Sequence, residues 1–267
     1  MTPTLRFLGA SDSQGVPRWW CDCTVCTEAR TTGVNARSRP SVVIEGAAES
    51  PERVLVDASP ELRTQCAREG LRGFGAALIS HAHNDHVLGL GDLADRARWT
   101  REPCPVFAPA EVLPALRERF AYLTRGGYPE RVPFRALEQS SRTFAGYRLS
   151  AVRVPHGFNG WAYGFRFDGE SSRPGSSWAY IPDSLNLQDL SPWRGLGLLV
   201  LGTSCYRETA PVHSRSVYDV QEALGLISEL KPAGTVLTHL GHGVDAREPA
   251  PEGTIYAYDG LRLELPW

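Results

Sequence analysis

The stretch LISHAHNDHVLGL, residues 78–90, connects the end of an apolar run to the beginning of a helical pattern. It places His81, His83, Asp85 and His86 in quick succession, directly after the apolar residues that indicate a strand. A loop at the end of a strand can direct alternate side chains toward one point, and imidazole and carboxylate groups are common ligands of divalent metals. The stretch therefore predicts two neighbouring metal sites at the end of a buried strand.

Three single residues of the same ligand types follow apolar runs further along the chain. His156 follows LSAVRVP, Asp183 follows WAYIP and His239 follows TVLT. In α/β folds, functional sites form at the carboxyl ends of strands. We therefore expect these three side chains to join the ligands of residues 81–86 in one site.

Apolar and β-branched runs bounded by turn residues predict the strands, and helical patterns between them predict the helices. The predicted strands are residues 5–8, 42–44, 54–56, 76–79, 106–108, 149–154, 162–167, 179–181, 198–202 and 235–238. The predicted helices are residues 60–69, 90–99, 110–122 and 216–229. Interleaved strands and helices are typical of a layered α/β fold, and we expect one domain over residues 1–267.

Two segments interrupt this pattern. Residues 169–177 are polar and rich in Gly, Pro and Ser, which predicts a turn between two strands. Residues 111–148 look least like strands, so they are either an insertion over the site or ordinary surface helix and loop.

The composition is that of a globular protein rather than a disordered or fibrous one. The chain has 267 residues, of which 42% are hydrophobic and 22% are charged, and its formal net charge is −2. No apolar stretch approaches the roughly 18 residues that a membrane helix requires, and the N-terminus lacks the pattern of a signal peptide. We therefore expect a cytoplasmic protein without a membrane role. The charge balance offers no overall attraction to nucleic acid, which makes a nucleic-acid partner less favoured.

HAHNDH, followed by single His, Asp and His residues at downstream strand ends, resembles the metallo-β-lactamase superfamily of binuclear metallohydrolases. The resemblance covers nearly the whole chain and implies an αββα sandwich with the site at one edge between two sheets. It also implies two divalent metals, zinc or manganese, that share one bridging carboxylate. The implied ligands are His81, His83 and His156 for one metal, Asp85, His86 and His239 for the other, and Asp183 as the bridge.

Two further residues match positions with functional roles in this superfamily. Asp57 ends the run VLVD and matches a carboxylate that supports the loop of metal ligands, which is residues 81–86 here and is called the metal loop below. The alternative is an Asp that only starts the turn DASP. His213 matches a histidine that reaches the active site and contacts phosphate; the alternative is a helix-end contact without chemistry. Histidine titrates near neutrality and so suits general acid catalysis. We predict catalytic roles for His213, Asp57 and the metal ligand Asp85.

Three cysteines stand close together in WWCDCTVC, residues 19–26. Cys21, Cys23 and Cys26 are better placed for a metal than for a disulfide framework in a reducing compartment. If His239 is an active-site ligand, His242 in THLGH has no partner in that site. It would then complete a Cys3His set, which is the composition of a structural zinc site.

The remaining cysteines and the tryptophans beside the cysteine segment are assigned structural roles. We expect Trp19 and Trp20 to pack around the zinc rather than to line a substrate pocket. Cys66, Cys104 and Cys205 lack ligand spacing, and we expect them to be small buried apolar residues.

The cysteine segment resembles that of one family within the superfamily. GASDSQGVPRWWCDCTVC, residues 9–26, resembles the N-terminal loop of the PhnP family of cyclic phosphodiesterases, and SHAHNDHVLGL is similar to the metal loop of that family. This resemblance implies hydrolysis of a small cyclic phosphodiester, with 5-phosphoribosyl 1,2-cyclic phosphate as the implied substrate, by a homodimer. A carboxylate at position 183, where the antibiotic-hydrolysing branch has a cysteine, also resembles the hydrolases of phosphodiesters and thioesters.

Three other functions fit the same residues. A nuclease of the tRNA 3′-processing or 5′-exonuclease type has the same core but usually needs a basic arm or an aromatic platform, and the sequence has no obvious Lys/Arg run. A thioesterase or lactonase is the second alternative, because the metal core does not determine whether an acyl or a phosphoryl centre reacts. The third is a non-catalytic zinc protein like the PqqB family, in which the metal motif is less complete than it is here.

Overall fold

Two β-sheets form the centre of the protein, and the computed structural model describes residues 2–48, 50–169 and 175–266. The strands are β1 (Thr4–Gly9), β2 (Ser41–Glu45), β3 (Arg53–Val56), β4 (Ala76–Leu78), β5 (Val106–Ala108), β6 (Phe134–Ala136), β7 (Arg148–Pro155), β8 (Trp161–Asp168), β9 (Ser177–Ile181), β10 (Leu196–Gly202), β11 (Gly234–Thr238), β12 (Thr254–Tyr256) and β13 (Arg262–Glu264). The helices are α1 (Thr24–Thr31), α2 (Leu62–Glu69), α3 (Asn84–Val87), α4 (Leu90–Thr100), α5 (Leu113–Arg119), α6 (Tyr128–Arg131) and α7 (Val220–Leu230). The turn predicted over residues 169–177 lies largely outside the described residues.

The topology gathers strand ends at one edge of the sandwich. The first sheet has the order β13-β1-β2-β3-β4-β5-β6, and the second has the order β12-β11-β10-β9-β8-β7. Strands β3 to β6 pair in parallel, as do β9 to β12. Because parallel strands point their carboxyl ends the same way, each sheet presents several loops at one edge, which is where α/β folds form their sites.

The two sheets pack face to face because alternate strand residues point to opposite sides. In β9, Trp178 and Tyr180 belong to the core that both sheets share, whereas Ala179 and Ile181 belong to a second apolar layer beneath α7. That helix contributes residues at helical spacing, namely Val220, Ala223, Leu226 and Leu230. On the first sheet, α2, α4 and α5 add buried leucines to the shared core. The predicted αββα architecture is confirmed.

Helix α7 begins later than its apolar pattern predicts. The Asp219 side chain accepts a hydrogen bond from the Glu222 backbone N–H at 2.8 Å, and the Glu222 carboxylate accepts one from the Asp219 N–H at 3.1 Å. This reciprocal capping box satisfies two N–H groups that a helix start leaves unpaired. The helix therefore starts at Val220, and residues 216–219 lead into it as an extended segment.

Other elements differ from the predictions for physical reasons. All predicted strands are present with small shifts at their ends, but β6, β12 and β13 were not predicted because three-residue strands carry little alternation. The helix predicted over residues 110–122 ends at Arg119 and is followed by a separate 3₁₀ turn, Ala121–Thr124. Helix α1 was not predicted because its residues overlap the cysteine motif and its apolar face is short, formed by Val25, Cys26 and Ala29. Within the described residues, no helix combines the length and apolarity that crossing a membrane requires.

Candidate metal centres

The loops that follow β4, β7 and β9 bring the first predicted ligand group together. The ligand atoms of His81, His83, His156 and Asp183 all lie within 4.8 Å of one another. His83 Nδ1 is 3.2 Å from His156 Nε2, and His81 Nε2 is 3.2 Å from Asp183 Oδ2. These four side chains, three of them buried and His83 partly buried, form one candidate metal site.

The second predicted group lies against the first and shares one residue with it. The ligand atoms of Asp85, His86, Asp183 and His239 again lie within 4.8 Å of one another. Asp183 Oδ2 is 3.1 Å from His86 Nε2, and Asp183 Oδ1 is 3.1 Å from His239 Nε2. Asp85 Oδ2 is 3.2 Å from His86 Nε2 and 3.4 Å from His239 Nε2. Asp183 therefore belongs to both ligand groups through its carboxylate.

The chemistry of these atoms fits divalent cations. His81 Nε2, His86 Nε2 and Asp183 Oδ1 are buried and have no hydrogen-bond partner among the described residues. Buried polar atoms are nearly always satisfied, so unpartnered atoms that converge on one place indicate a bound group. Imidazole nitrogens and carboxylate oxygens together suit zinc and manganese.

The protonation of three members of the first ligand group is suited to metal binding. Burial and the neighbouring imidazoles lower the pKa of His83 to about 4, and burial lowers the pKa of His156. Both rings are therefore neutral near pH 7 and have a lone pair to donate. Burial alone would raise the pKa of Asp183, but His239 and His86 hold the pKa of that carboxyl well below its usual range. The carboxylate is thus ionised in the position where a cation would lie.

A buried network beneath the metal loop orients its histidines. Asp57 accepts hydrogen bonds from the Ser80 N–H at 2.8 Å and from the Ser80 hydroxyl at 2.9 Å, and its Oδ2 lies 2.7 Å from His86 Nδ1. The Ser80 hydroxyl is also 3.0 Å from His81 Nδ1. Sequence reasoning singled out Asp57 but missed Ser80, although its place directly before His81 was a usable signal. Hydrogen bonds of this kind fix the ring orientation of metal-binding histidines.

Two residues of the site adopt a strained backbone. Asp57 has φ = 59° and His239 has φ = 58°, both in the left-handed region that residues other than glycine rarely occupy. Such conformations persist only where the surrounding structure holds them, and they cluster at functional sites. Both residues directly follow a strand, β3 or β11, so the strain redirects each side chain at a strand end toward the site.

The predicted Cys3His set also assembles, away from the first two groups. The sulfurs of Cys21, Cys23 and Cys26 lie 3.3, 3.5 and 3.5 Å from His242 Nδ1. On a tetrahedral zinc ion, sulfur and nitrogen ligands stand about 3.5 Å apart, because the Zn–S and Zn–N bonds are about 2.3 and 2.0 Å. The side chains therefore fit a zinc ion with all four positions filled.

A buried arginine ties the C-terminal loop that carries His239 and His242 to the N-terminal part of the chain. Arg37 donates to the carbonyl oxygens of Leu240, Gly241 and Val244 at 3.2, 3.1 and 2.9 Å. Sequence reasoning missed this residue, because nothing in its local pattern shows which carbonyls it will meet. The contact holds the backbone on which both candidate metal centres depend.

The expectation for the tryptophans is wrong, and that for the other cysteines holds only in part. Trp19 is 85% exposed and Trp20 is 55% exposed, so neither packs closely around the zinc set. Cys104 is buried as expected, whereas Cys66 and Cys205 are only partly buried. A small apolar cluster of Val16, Val25 and Ala29 lies beside the cysteine loop but includes neither tryptophan, and the two rings contact each other instead.

His213 lies in the exposed turn Val212–Ser214, near one of the metal ligands. The Phe158 N–H donates to the Arg215 carbonyl at 3.1 Å, which joins this turn to the loop that follows His156. None of the hydrogen bonds or ion pairs within the described residues connects the His213 side chain to the metal ligands. Its catalytic role remains a prediction.

A small polar cavity adjoins the second ligand group. It has a volume of about 190 Å³ and reaches His239. Its polar lining residues include Asp12, Ser13, Ser204, Glu208 and Ser216. A larger cavity of about 440 Å³ lies between α2 and α4 but contains none of the predicted ligands, so size alone does not locate the site.

One residue of the segment 111–148 contacts the metal loop. Arg119, the last residue of α5, donates through Nη1 to the Ala82 carbonyl at 2.6 Å and to Asn84 Oδ1 at 3.0 Å. Sequence reasoning missed this residue. Part of this segment therefore lies against the metal loop.

Residues 52–240 match the model of the beta-lactamase superfamily domain. The chain belongs to this superfamily. The matched residues contain every member of the two adjoining ligand groups, and the match ends before His242. The Cys3His set therefore lies outside the part that the superfamily model describes, as a feature added to the shared fold.

Relatives within the superfamily differ in their functions. The crystal structure of a diphosphatase from the PhnP family has a TM-score of 0.81 and 28% sequence identity and covers 98% of each chain. Zn²⁺-bound PqqB from Methylobacterium extorquens has a TM-score of 0.78 at 19% identity, over 98% of this chain and all of that chain, and therefore shows the fold alone. An octanoyltransferase from Porphyromonas gingivalis is 29% identical over 270 residues, which are 95% of this chain and 50% of that protein.

These comparisons confirm the family expected from the sequence. The chain has the metallo-β-lactamase fold and resembles a diphosphatase of the PhnP family. The chain spans about half the length, or less, of the curated relatives that it matches first.

Proposed function

We propose that the protein is a binuclear metal-dependent phosphodiesterase that hydrolyses a small phosphodiester. The observation that carries this proposal is the position of Asp183, whose carboxylate contacts both ligand groups. Its Oδ2 lies 3.2 Å from His81 Nε2 and 3.1 Å from His86 Nε2, and its Oδ1 lies 3.1 Å from His239 Nε2. Two metals a few ångströms apart form a clamp that suits in-line displacement at phosphorus. The likeness to a PhnP-family diphosphatase, at 28% identity over nearly the whole of both chains, supports phosphoryl rather than acyl chemistry.

The chain's own residues have distinct tasks in this reaction. When bound, the two cations supply Lewis-acid chemistry, which lowers the pKa of a water nucleophile and offsets the charge of the phosphoryl oxygens. Asp183 and Asp85 provide the negative charge that holds both cations near each other. Asp57 and Ser80 fix the orientation of His86 and prevent its ring from turning away.

His213 is the proposed proton donor to the leaving oxygen. Its turn is joined to the loop that carries the ligand His156, and its ring is exposed, so a substrate can reach it. A positioned histidine contributes typically about 10²–10⁴-fold to such a step. Its importance should increase with the basicity of the departing alkoxide, because a weakly acidic alcohol needs a proton to leave.

The substrate class is proposed from the resemblance of the sequence to the PhnP family, which implies a small cyclic phosphodiester such as 5-phosphoribosyl 1,2-cyclic phosphate. The cavity beside His239 has a volume of about 190 Å³ and is lined by hydroxyl groups, by the carboxylates of Asp12 and Glu208 and by Arg215. Its small volume favours a compact substrate over a polymer. The proposal also includes manganese or zinc in the two adjoining sites and zinc in the Cys3His set. It further includes a homodimeric assembly and a cytoplasmic location.

The test is a comparison of substrates with defined metals. Protein purified without added metal is assayed with bis(p-nitrophenyl) phosphate, a 2′,3′-cyclic nucleotide, 5-phosphoribosyl 1,2-cyclic phosphate and an octanoyl thioester, after addition of manganese or zinc. We expect metal-dependent cleavage of the phosphodiesters, with preference for the cyclic compounds. The same activity should disappear in Asp183→Asn and persist in Asp95→Asn, whose exposed carboxylate forms no ion pair among the described residues.

Other outcomes would assign a different function. Thioester turnover without diester cleavage would move the chain toward the acyl chemistry named for its relative from Porphyromonas gingivalis. Full metal occupancy with no turnover of any substrate would favour a non-catalytic role of the PqqB kind. Cleavage restricted to RNA would favour a nuclease.

A further inference from the structure

The metal-binding histidines differ in how their second ring nitrogen is held. His86 Nδ1 lies against Asp57, His81 Nδ1 against the Ser80 hydroxyl, and His156 Nδ1 is 2.8 Å from the Ser216 carbonyl oxygen. Partners of this kind are the usual means by which a protein orients a ligand ring. His83 presents Nδ1 to the first metal group, and no hydrogen bond within the described residues involves its Nε2. His83 therefore lacks the support that these three have, as does His239, whose buried Nδ1 has no partner among the described residues.

Arg119 compensates for this absence through the neighbours of His83. Its Nη1 lies 2.6 Å from the Ala82 carbonyl oxygen and 3.0 Å from Asn84 Oδ1, and these two residues flank His83 in the sequence. Hydrogen bonds from a charged donor are stronger than those between neutral groups. One guanidinium nitrogen thus joins the residue before His83 to the residue after it, which is the first residue of α3.

We infer that Arg119 is a positioning residue for His83, and that it keeps the first metal site in its binding geometry. Asp57 and Ser80 restrain the loop from its buried side, whereas Arg119 restrains it from its exposed side. The inference depends on the metal sites of the proposed function but not on the identity of the substrate. Arg119 does not supply a ligand, so its effect should appear first in metal affinity.

The position of Arg119 makes this contact more than a chance surface interaction. Leu113 and Leu116 anchor α5 in the shared core, and Arg119 follows Leu116 by nearly one turn at the end of the same helix. A cation at the end of a helix also interacts favourably with the helix dipole, which helps to order the side chain. The metal loop is thereby connected to the core through α5.

The experiment measures metal affinity directly. Arg119→Met removes the donors but keeps most of the aliphatic length, Arg119→Lys keeps the charge, and Arg117→Met changes an exposed arginine on the same helix that forms no hydrogen bond to the loop. Each protein is titrated with zinc or manganese against a competing chelator, and bound metal is counted. Loss of a hydrogen bond that orients a metal ligand typically weakens metal binding about 10–100-fold. We expect a change of this size in Arg119→Met for one active-site metal. Arg119→Lys should recover part of that affinity.

Zinc binding at the Cys3His set and the kinetics of hydrolysis separate a positioning role of Arg119 from other roles. The zinc of the Cys3His set should remain bound in every variant, which shows that the fold is intact. With bis(p-nitrophenyl) phosphate, Arg119→Met should need more metal for half-maximal activity while KM at saturating metal stays unchanged. Unchanged metal affinity in Arg119→Met would overturn the inference, and a raised KM at unchanged metal affinity would assign Arg119 to substrate binding instead. The metal titration is decisive even if no phosphodiester is hydrolysed.

Discussion

His86 Nδ1 lies 2.7 Å from Asp57 Oδ2, and both side chains are fully buried. The aspartate directly follows β3, and the histidine lies in the short helix α3 after β4, so the pair joins neighbouring strand ends. The Asp57 carboxylate also accepts two hydrogen bonds from Ser80. One buried side chain therefore supports both halves of the metal loop from below.

We expect Asp57→Asn to weaken metal binding by about 10–100-fold, since the amide cannot accept from both donors and orient His86 as the carboxylate does. Turnover at limiting metal should fall in parallel. The measurement is bound metal against a competing chelator, with Asp95→Asn as the control. Unaltered affinity in Asp57→Asn would leave the carboxylate with a role in the turn alone.

We expect Cys23→Ser to lose about one zinc ion per chain, because a hydroxyl is a poor replacement for a thiolate in a closed tetrahedral site. The metals of the other two groups should stay, since none of their ligands comes from the cysteine segment. Elemental analysis after dialysis gives the count. Cys66→Ser is the matched control and should keep its full zinc content. Loss of all metals together in Cys23→Ser would show that the two centres are not separate.

We expect His213→Ala to lower kcat according to the leaving group. With an alkyl phosphodiester the loss should be about 10²–10⁴-fold, because a strongly basic alkoxide needs a proton to depart. With bis(p-nitrophenyl) phosphate, whose leaving group is a stable anion, the loss should be small. Metal content should not change, which separates the variant from ligand mutants. An equal loss with both substrates would contradict a role as proton donor.

We expect Arg37→Met to destabilise the protein by about 3 kcal/mol or more, because three buried carbonyl groups lose a charged donor. The midpoint of denaturant unfolding measures the change. Arg117→Met should shift the free energy of unfolding by no more than about 0.5 kcal/mol, as is usual for an exposed position. A similar small shift in Arg37→Met would mean that water satisfies those carbonyls.

The sequence was sufficient to predict which imidazole and carboxylate side chains the fold brings together, because their signal is local. Each of His81, His156, Asp183 and His239 follows a run that must be a strand, and parallel strands of one sheet end at the same edge. The cysteine spacing with His242 was equally informative, because thiolates in a short segment leave few alternatives. Such patterns need no knowledge of which residues approach from elsewhere.

The residues that the sequence did not reveal act through long-range contacts. Arg37 reaches carbonyls about two hundred positions away, and Arg119 reaches the metal loop across 35 and 37 positions. A single arginine has no local pattern that names its acceptor, and surface arginines are the common case. The exposure of Trp19 and Trp20 was also beyond prediction, because it depends on what the rest of the chain leaves uncovered.

The Cys3His set joins two parts of the chain that are 221 positions apart. A zinc ion held there would act as a removable cross-link, because it closes nearly the whole chain into one loop and restricts the unfolded ensemble accordingly. This loop contains strands β2 to β11, so removal of the ion would free the cysteine segment from the C-terminal loop, while Arg37 would still hold the backbone of that loop. The supply of zinc would then govern how long the folded protein survives, even when a different metal occupies the other two sites.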